Sequence, residues 1–201
     1  MNDVCTCDGH TLVGHLLINR ADHGVIWEDD IAIDVGVPVG HPSVNLVAVA
    51  HGNIVGTAYN GVAEGDTAYQ TQKRAYRWAP TTGWVSMGFT EFGVYDVNSQ
   101  GSAVGGFSVI WPNGSNHPMG IPGPGVGLPF KINDLGVVGG SCVPDPTGTV
   151  TPFLPCEWTS ATGWYAISND TTGAFEGLNN LNQAVGWTYA DGRSFAVLWN
   201  P

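Results

Sequence analysis

The sequence predicts an all-β fold, and within that class a five-bladed β-propeller with about 40 residues and up to four short antiparallel strands in each blade. Two observations carry this prediction. A short motif that ends in glycine occurs five times along the 201 residues, and an apolar run that ends in tryptophan follows each copy. Units of this length bury their apolar faces only when neighbours stack on them, which is typical of solenoids and propellers.

The motif is clearest at residues 97–105 and 178–186, which both contain Asn as the second residue and end in Ala-Val-Gly. Shorter versions occur at 9–14, 52–56 and 132–139. The closing glycines are Gly14, Gly56, Gly105, Gly139 and Gly186, and the tryptophans that follow them are Trp27, Trp78, Trp111, Trp158 and Trp199. We therefore divide one domain, residues 1–201, into repeats at about 1–44, 45–93, 94–128, 129–173 and 174–201.

Each unit offers short β segments separated by Gly, Asn, Pro and Thr turns. In the second unit the predicted strands are 46–50, 53–58, 74–79 and 84–87. We expect the five repeated tryptophans to pack between blades, because each is a large apolar side chain at one place in its unit. The fifth unit stops after its third strand. Either residues 1–7 supply the fourth, or an exposed edge remains to which another chain could add a strand.

The repeat resembles the HAF family of probable extracellular repeats, whose units run Ile-Asn-x-x-Gly-x-Val-Val-Gly and then Ala-Phe-x-Trp. The matching stretches are 132–139, 97–105, 178–186 and 194–199. The first two units depart from the pattern, since Cys7 and Ala50 take the place of Asn98, Asn133 and Asn179. The resemblance implies a propeller-type architecture and a surface setting, and it carries over no catalytic residue.

Charge and composition exclude some partners. Six Lys and Arg against seventeen Asp and Glu give a net charge of −11, which disfavours nucleic acid and anionic membranes because both are bound by basic side chains. No apolar run is long enough to insert into a membrane. Residues 1–5 lack the basic start and apolar run of a signal peptide. We expect either a removed leading segment or release by cell lysis, as for virion components.

The cysteines bear on the compartment. Cys142 and Cys156 flank the loop between the second and third strands of the fourth unit, and we expect a disulfide there if the setting is oxidising. Cys5 and Cys7 alternate onto one face of a strand. We expect them to be free buried thiols or to form an inter-chain bond, in preference to a zinc site with the other two. The six histidines show no ligand spacing, so no metal or cofactor is predicted.

The repeated asparagines have two interpretations. They could line a ligand site, or each could close a tight turn by bonding its own backbone, which we expect. The loops between second and third strands vary most in length, and insertions on one face of a repeat protein commonly mark its binding face. The candidate contact residues for sugar or protein on this face are Tyr59, Glu64, Asp66, Tyr69, Lys73, Asp145, Asp191 and Arg193.

The sequence thus predicts a non-enzymatic structural or recognition propeller outside the cell. We expect a virion or appendage component that contacts glycan or neighbouring protein subunits, as an oligomer or within a larger assembly. One alternative is a glycoside hydrolase, which needs two carboxylates roughly 5–10 Å apart. Asp96 and Asp134 are the candidate pair, with Asp8 as a weaker third. The other alternative is a cytoplasmic protein-interaction propeller, which reduced thiols at Cys142 and Cys156 would favour.

Overall fold

The computed structural model describes residues 7–9, 11–61, 73–89, 93–120, 126–143, 153–167 and 172–200. Within these ranges the chain forms 19 strands in five small antiparallel sheets that follow one another along the sequence. The prediction of an all-β fold is confirmed. The same ranges contain no helix with the length and apolar character needed to cross a membrane.

Each sheet is a meander, in which every strand pairs with its neighbours in sequence. The first sheet contains β1 (Cys7–Asp8), β2 (Thr11–Ile18), β3 (Ala21–Glu28) and β4 (Ile31–Gly36). The second sheet contains β5 (Ser43–Ala50), β6 (Asn53–Tyr59), β7 (Arg74–Ala79) and β8 (Gly83–Phe89). The third sheet contains β9 (Asp96–Val97), β10 (Ala103–Gly105), β11 (Ser108–Ile110) and β12 (Asn116–Pro118).

The last two sheets differ in strand number. The fourth sheet contains β13 (Val126–Ile132), β14 (Val138–Val143), β15 (Leu154–Thr159) and β16 (Gly163–Ala166). The fifth sheet contains β17 (Thr172–Leu178), β18 (Ala184–Ala190) and β19 (Arg193–Trp199). Cys7 pairs with Leu12 in the first sheet, so β1 adds no fourth strand to the fifth sheet. Residues 1–6 lie outside the described ranges.

Tight turns join several of the hairpins. Two adjacent residues with positive φ form the turn at Asn19–Arg20, Asp29–Asp30, His51–Gly52 and Asp191–Gly192. Type I′ turns require positive φ at both positions, and their twist matches that of the flanking strands, which explains the Asn, Asp and Gly found there. These turns fix the register of the strands that carry the repeat motif.

The sheets pack face to face in sequence order. We call the face that points to the preceding sheet the leading face, and the opposite face the trailing face. At each of the first three junctions, a buried trailing-face residue and a buried leading-face residue belong to one apolar cluster; the three pairs are Val13 and Leu46, Val55 and Ala103, and Val104 and Val138. At the fourth junction the ring of Phe175 lies directly against Gly139, where an added Cβ would overlap it.

The repeated glycine lies within the second strand of its sheet. In four of the five sheets a close backbone approach requires it, whereas a Cβ on Gly14 in the first sheet would meet only the ring of Trp27, at 3.2 Å. A Cβ on Gly56 or Gly186 would overlap a carbonyl oxygen of the first strand, beside a β-bulge. In the fourth sheet this position is occupied by Gly140, one residue after the predicted Gly139. In those four sheets the motif therefore marks a close backbone contact that only glycine permits.

Four of the five tryptophans occupy one structural position. Trp27, Trp78, Trp158 and Trp199 each pair with the residue two places before the repeated glycine. In the third sheet this place belongs to Ile110, and Trp111 follows it. The two residues that join β10 to β11 shorten the hairpin, and a register change of one residue moves a side chain to the other face. Trp111 accordingly packs on the cluster between the third and fourth sheets.

The end sheets expose faces that the internal sheets bury. The residue before the repeated glycine lies on the trailing face, and its exposure is 1% for Val13, 0% for Val55 and Val104, but 50% for Val185. The residue two places before the glycine lies on the leading face. Its exposure is 0% to 4% in Ala103, Val138, Ala184 and Ile54, but 37% for Leu12. Among the described residues, no further sheet covers the outer face of either end sheet.

Candidate functional site

The turns that follow the first strands of four sheets converge on one concave site, which we call the central depression. It has a volume of about 320 Å³. It forms because the first strands β5, β9, β13 and β17 contact one another in sequence. Its lining residues are Val49, Ala50, His51, Val97, Asn98, Ile132, Asn133, Asp134, Leu178, Asn179 and Asn180.

Each repeated asparagine closes its own turn. The side-chain oxygen of Asn98 accepts hydrogen bonds from the backbone N–H groups of Gln100 and Ser102. Asn133 and Asn179 bond the backbone two and four residues further on in the same way. The interpretation of these residues as turn formers is therefore confirmed. Their oxygens are fully engaged by the backbone.

The amide nitrogens of the same side chains connect neighbouring sheets. Nδ2 of Asn98 donates to the carbonyl oxygen of Asn133 at 3.0 Å, and Nδ2 of Asn133 donates to that of Asn179 at 3.0 Å. In the second sheet Ala50 has no such group, and Asn53 donates to the carbonyl oxygen of Ser99 at 2.8 Å. We call these three bonds and their turns the turn ladder. Every bond runs from one sheet to the next along the chain.

The two carboxylates that a hydrolase would use, Asp96 and Asp134, connect the third and fourth sheets through hydrogen bonds. Oδ2 of Asp96, in the third sheet, accepts the N–H of Ile132 in the fourth. Oδ1 of Asp134, in the fourth sheet, accepts the N–H of Ser99 in the third. The second oxygen of Asp134 accepts a hydrogen bond from Nδ2 of Asn180 at 2.7 Å. Each carboxylate thus bonds the backbone of the other's repeat.

The two carboxyl groups titrate in opposite directions. Hydrogen bonds from the side chain and the backbone of Ser99 lower the pKa of Asp134, with smaller contributions from Asn180 and the charge of His51. Burial raises the pKa of Asp96, although the charge of Lys131 partly opposes this. Asp134 lines the central depression. These pKa shifts describe an Asp134 carboxylate that is stabilised in its ionised form by hydrogen-bond donors, and an Asp96 carboxyl group that is desolvated by burial.

The predicted contact residues occupy two separate sheets. Lys73 lies over the ring of Tyr59, with Nζ 5.7 Å from the ring centroid, beside the second sheet. Asp191 forms the turn between β18 and β19, and Arg193 is the exposed first residue of β19 in the fifth sheet. The remaining candidates, Glu64, Asp66, Tyr69 and Asp145, lie outside the described residues, as do Cys5 and His10.

The structure joins Cys142 and Cys156 in a disulfide, with a Cα–Cα distance of 5.7 Å that is usual for this bond. The two residues are diagonal neighbours on the leading face of the fourth sheet, because Cys142 pairs with Leu154 and Gly140 with Cys156. Both cysteines are buried in the cluster between the third and fourth sheets. In the described part of the chain, no three His, Cys, Asp or Glu side chains form a group that could hold a metal ion.

Comparisons of the chain with protein-family models, with curated proteins and with solved structures give no match. The interpretation of the site therefore depends on the residues themselves.

The turn ladder leads to a prediction that distinguishes the hydrogen bonds within a turn from the hydrogen bonds between sheets. Asn133→Ala removes the bonds within its turn and the bonds from its amide to the carbonyl oxygen of Asn179 and to Oδ1 of Asn182. Of the bonds between described residues, Asn179→Ala removes only those within its own turn. We expect Asn133→Ala to lower the free energy of unfolding by about 2 kcal/mol more than Asn179→Ala, because it leaves buried polar groups unpaired. Denaturant titration of both variants measures the difference. Equal losses would contradict a stabilising role for the bond between sheets.

The opposite pKa shifts lead to a second prediction. Asp134, with its lowered pKa, contributes stability above the ordinary value of about 3.9 and loses it as the pH falls through the folded-state pKa. Asp96, with its raised pKa, contributes stability at low pH that is lost as the pH rises through its folded-state value. We therefore expect Asp134→Asn to flatten the loss of stability in acid and Asp96→Asn to steepen it, in denaturant titrations across this range. Changes of the same sign in both variants would contradict the assignment.

Proposed function

We propose that the chain is a non-enzymatic β-propeller module that serves as a structural or recognition component outside the cell. The observation that supports this most directly is the turn ladder. The polar groups that face the central depression, which an enzyme would direct at a substrate, bond the backbone of neighbouring repeats. Such a site favours a scaffold that holds its sheets in a fixed order and offers their surfaces to partners.

The five-bladed propeller is part of this proposal, with its ring open between the first and fifth blades, whose outer faces are exposed. The first strands contact one another in the order β1, β5, β9, β13, β17, and the turns of four sheets meet at one depression. Meanders arranged radially around a centre are typical of propeller blades. The resemblance of the motif to HAF repeats points to the same architecture.

The setting outside the cell is supported by the disulfide between Cys142 and Cys156, since such bonds persist in oxidising compartments. The HAF-like motif also suggests a surface protein. We propose a component of a virion or of a surface appendage, which contacts neighbouring protein subunits or surface glycan. The strong negative charge makes nucleic acid an unsuitable partner.

A glycan-array screen, with light scattering on the same sample, tests this function. Specific binding that falls at least about tenfold in a Tyr59→Ala, Lys73→Ala double variant would establish glycan recognition at the second sheet, at a cost of about 1.4 kcal/mol or more. The matched control is Val39→Ala, a change at a fully exposed position between the first and second sheets. Absence of glycan binding together with a defined assembly would favour the structural role.

Two results would overturn the proposal. One is a monomer that binds no glycan and enters no assembly. The other is release of sugar product from a bound glycan, lost in both Asp96→Asn and Asp134→Asn, which would favour the glycoside hydrolase instead. Since each of these carboxylates bonds the backbone of an adjacent sheet, circular dichroism of both variants is needed to show that the fold is intact.

A further inference from the structure

The fifth sheet ends the array with an open apolar surface. Its trailing face carries Val185, Tyr189 and Leu198, whose side chains are each about half exposed. Val185 and Leu198 are paired across β18 and β19, and Tyr189 lies further along the same face of β18. We call these three residues the tail face. At the positions equivalent to Val185, the first three sheets bury their valine against the next sheet.

The first sheet begins the array with an open surface of the opposite kind. Its leading face carries Leu12, Leu16 and Trp27, of which Leu12 and Trp27 are cross-strand partners. Leu12 and Trp27 also line an open cavity of about 350 Å³ with Asp29 and Asp30, the turn that joins β3 to β4. We call Leu12, Leu16 and Trp27 the head face. At the equivalent of Trp27 in the fourth sheet, Trp158 is buried against the third sheet.

The two open faces are the two halves of one junction. Every internal junction of the chain joins the trailing face of one sheet to the leading face of the next. In the part of the chain that the structure describes, no sheet covers the tail face, which is a trailing face, or the head face, which is a leading face. The turn ladder stops at the same end, because Nδ2 of Asn179 turns back to Oε1 of its own Gln183.

We propose that a second copy of this chain docks head to tail, so that its head face covers the tail face of the first. The inference rests on the proposed function and names the protein partner. A second copy is the occupant because it carries the missing half of the junction on the same scaffold, and the contact continues the series of internal junctions. On docking, the amide of Asn179 reaches the neighbour's backbone as those of Asn98 and Asn133 do. Contacts of this heterologous kind build rings or filaments.

Two charged variants and their mixture test the proposal. We expect the unmodified chain to show a mass in light scattering that rises with concentration to at least twice that of one chain. The tail variant Val185→Lys, Leu198→Lys and the head variant Leu12→Lys, Leu16→Lys should each remain monomeric. Mixed in equal amounts, they should form a dimer and nothing larger, because one intact head face and one intact tail face remain.

The mixture identifies the contact as head to tail. A contact of one face with the same face on its partner would be lost in one variant and kept in the other, which contradicts the proposal. The control Val39→Lys places the same charge at an exposed position away from both faces and should leave the mass unchanged. The four changed residues are substantially exposed in the chain, and circular dichroism checks that both variants stay folded. Should either unfold, Val185→Thr and Leu16→Thr provide milder versions with the same expected ranking.

Failure of this inference is separate from failure of the proposed function. A chain that is monomeric at every concentration overturns head-to-tail docking, while glycan binding in the array screen would still support a recognition module. Variants that lose thermal stability and keep an unchanged monomeric mass would show that the two faces meet within one chain, which also overturns it. An assembly that survives both variants places the contact on another surface and has the same consequence.

Discussion

Trp158→Ala should lower the free energy of unfolding by about 4 kcal/mol, the cost of emptying a large aromatic site in a packed core. Trp158 is 3% exposed and belongs to the cluster between the third and fourth sheets. Its ring also meets that of His117 from the third sheet, with the centroids 5.7 Å apart. The substitution removes both the apolar contacts of the indole ring and its close packing between the two sheets. Denaturant titration monitored by circular dichroism measures it.

Trp27→Ala is the matched control, because Trp27 holds the same structural position in the first sheet. Trp27 is half-buried and lines an open cavity. Removal of its side chain therefore creates little empty volume inside the protein. We expect a loss of about 1 kcal/mol, measured at a concentration where the chain is monomeric. A loss at Trp27 equal to that at Trp158 would show that the first sheet has a covering neighbour in solution.

Reduction of the disulfide should lower the free energy of unfolding by about 3 kcal/mol, the value that the chain-entropy model gives for a loop of this length. The bond closes a separation of 14 residues and joins the second and third strands of the fourth sheet. Because both cysteines are buried in the largest apolar cluster of the described residues, reduction should begin only after this sheet opens. Denaturant titrations with and without a thiol reductant give the difference.

A Cys142→Ala, Cys156→Ala double variant separates the bond from other effects of the reductant. It should lose about the same stability as the reduced protein, and the reductant should have no further effect on it. A reductant effect that persists in this variant would place the responsible thiol elsewhere. A natural chain found with both thiols reduced would instead favour the cytoplasmic interaction module.

The sequence predicted the coarse architecture because the repeat is marked at two places in every sheet. In the second unit the predicted strand 74–79 agrees with β7, and 46–50 and 53–58 lie within β5 and β6. Turn chemistry made this possible, since residues such as His51 and Gly52 adopt the positive φ that a two-residue hairpin needs. Strand pairing between close neighbours leaves few alternatives for the chain path.

Other features depend on register and could not be predicted from spacing alone. A two-residue hairpin places Trp111 one residue past its expected position. The role of Asn53, which lies within the 52–56 copy of the motif, was also not predicted: it supplies the amide that Ala50 lacks. A residue at a nearby position can thus make the same contact in space although the sequence pattern is broken.

The packing of each sheet on its neighbours in sequence has a consequence for local opening. An internal sheet is held on both sides, whereas the first and fifth are each held on one, and stability in repeat arrays is approximately a sum of such neighbour terms. Amide hydrogens should therefore exchange with solvent fastest in β2 and β18 and slowest in β10 and β14, whose residues are buried on both faces. Local unfolding would then begin in the first and fifth sheets and proceed toward the third.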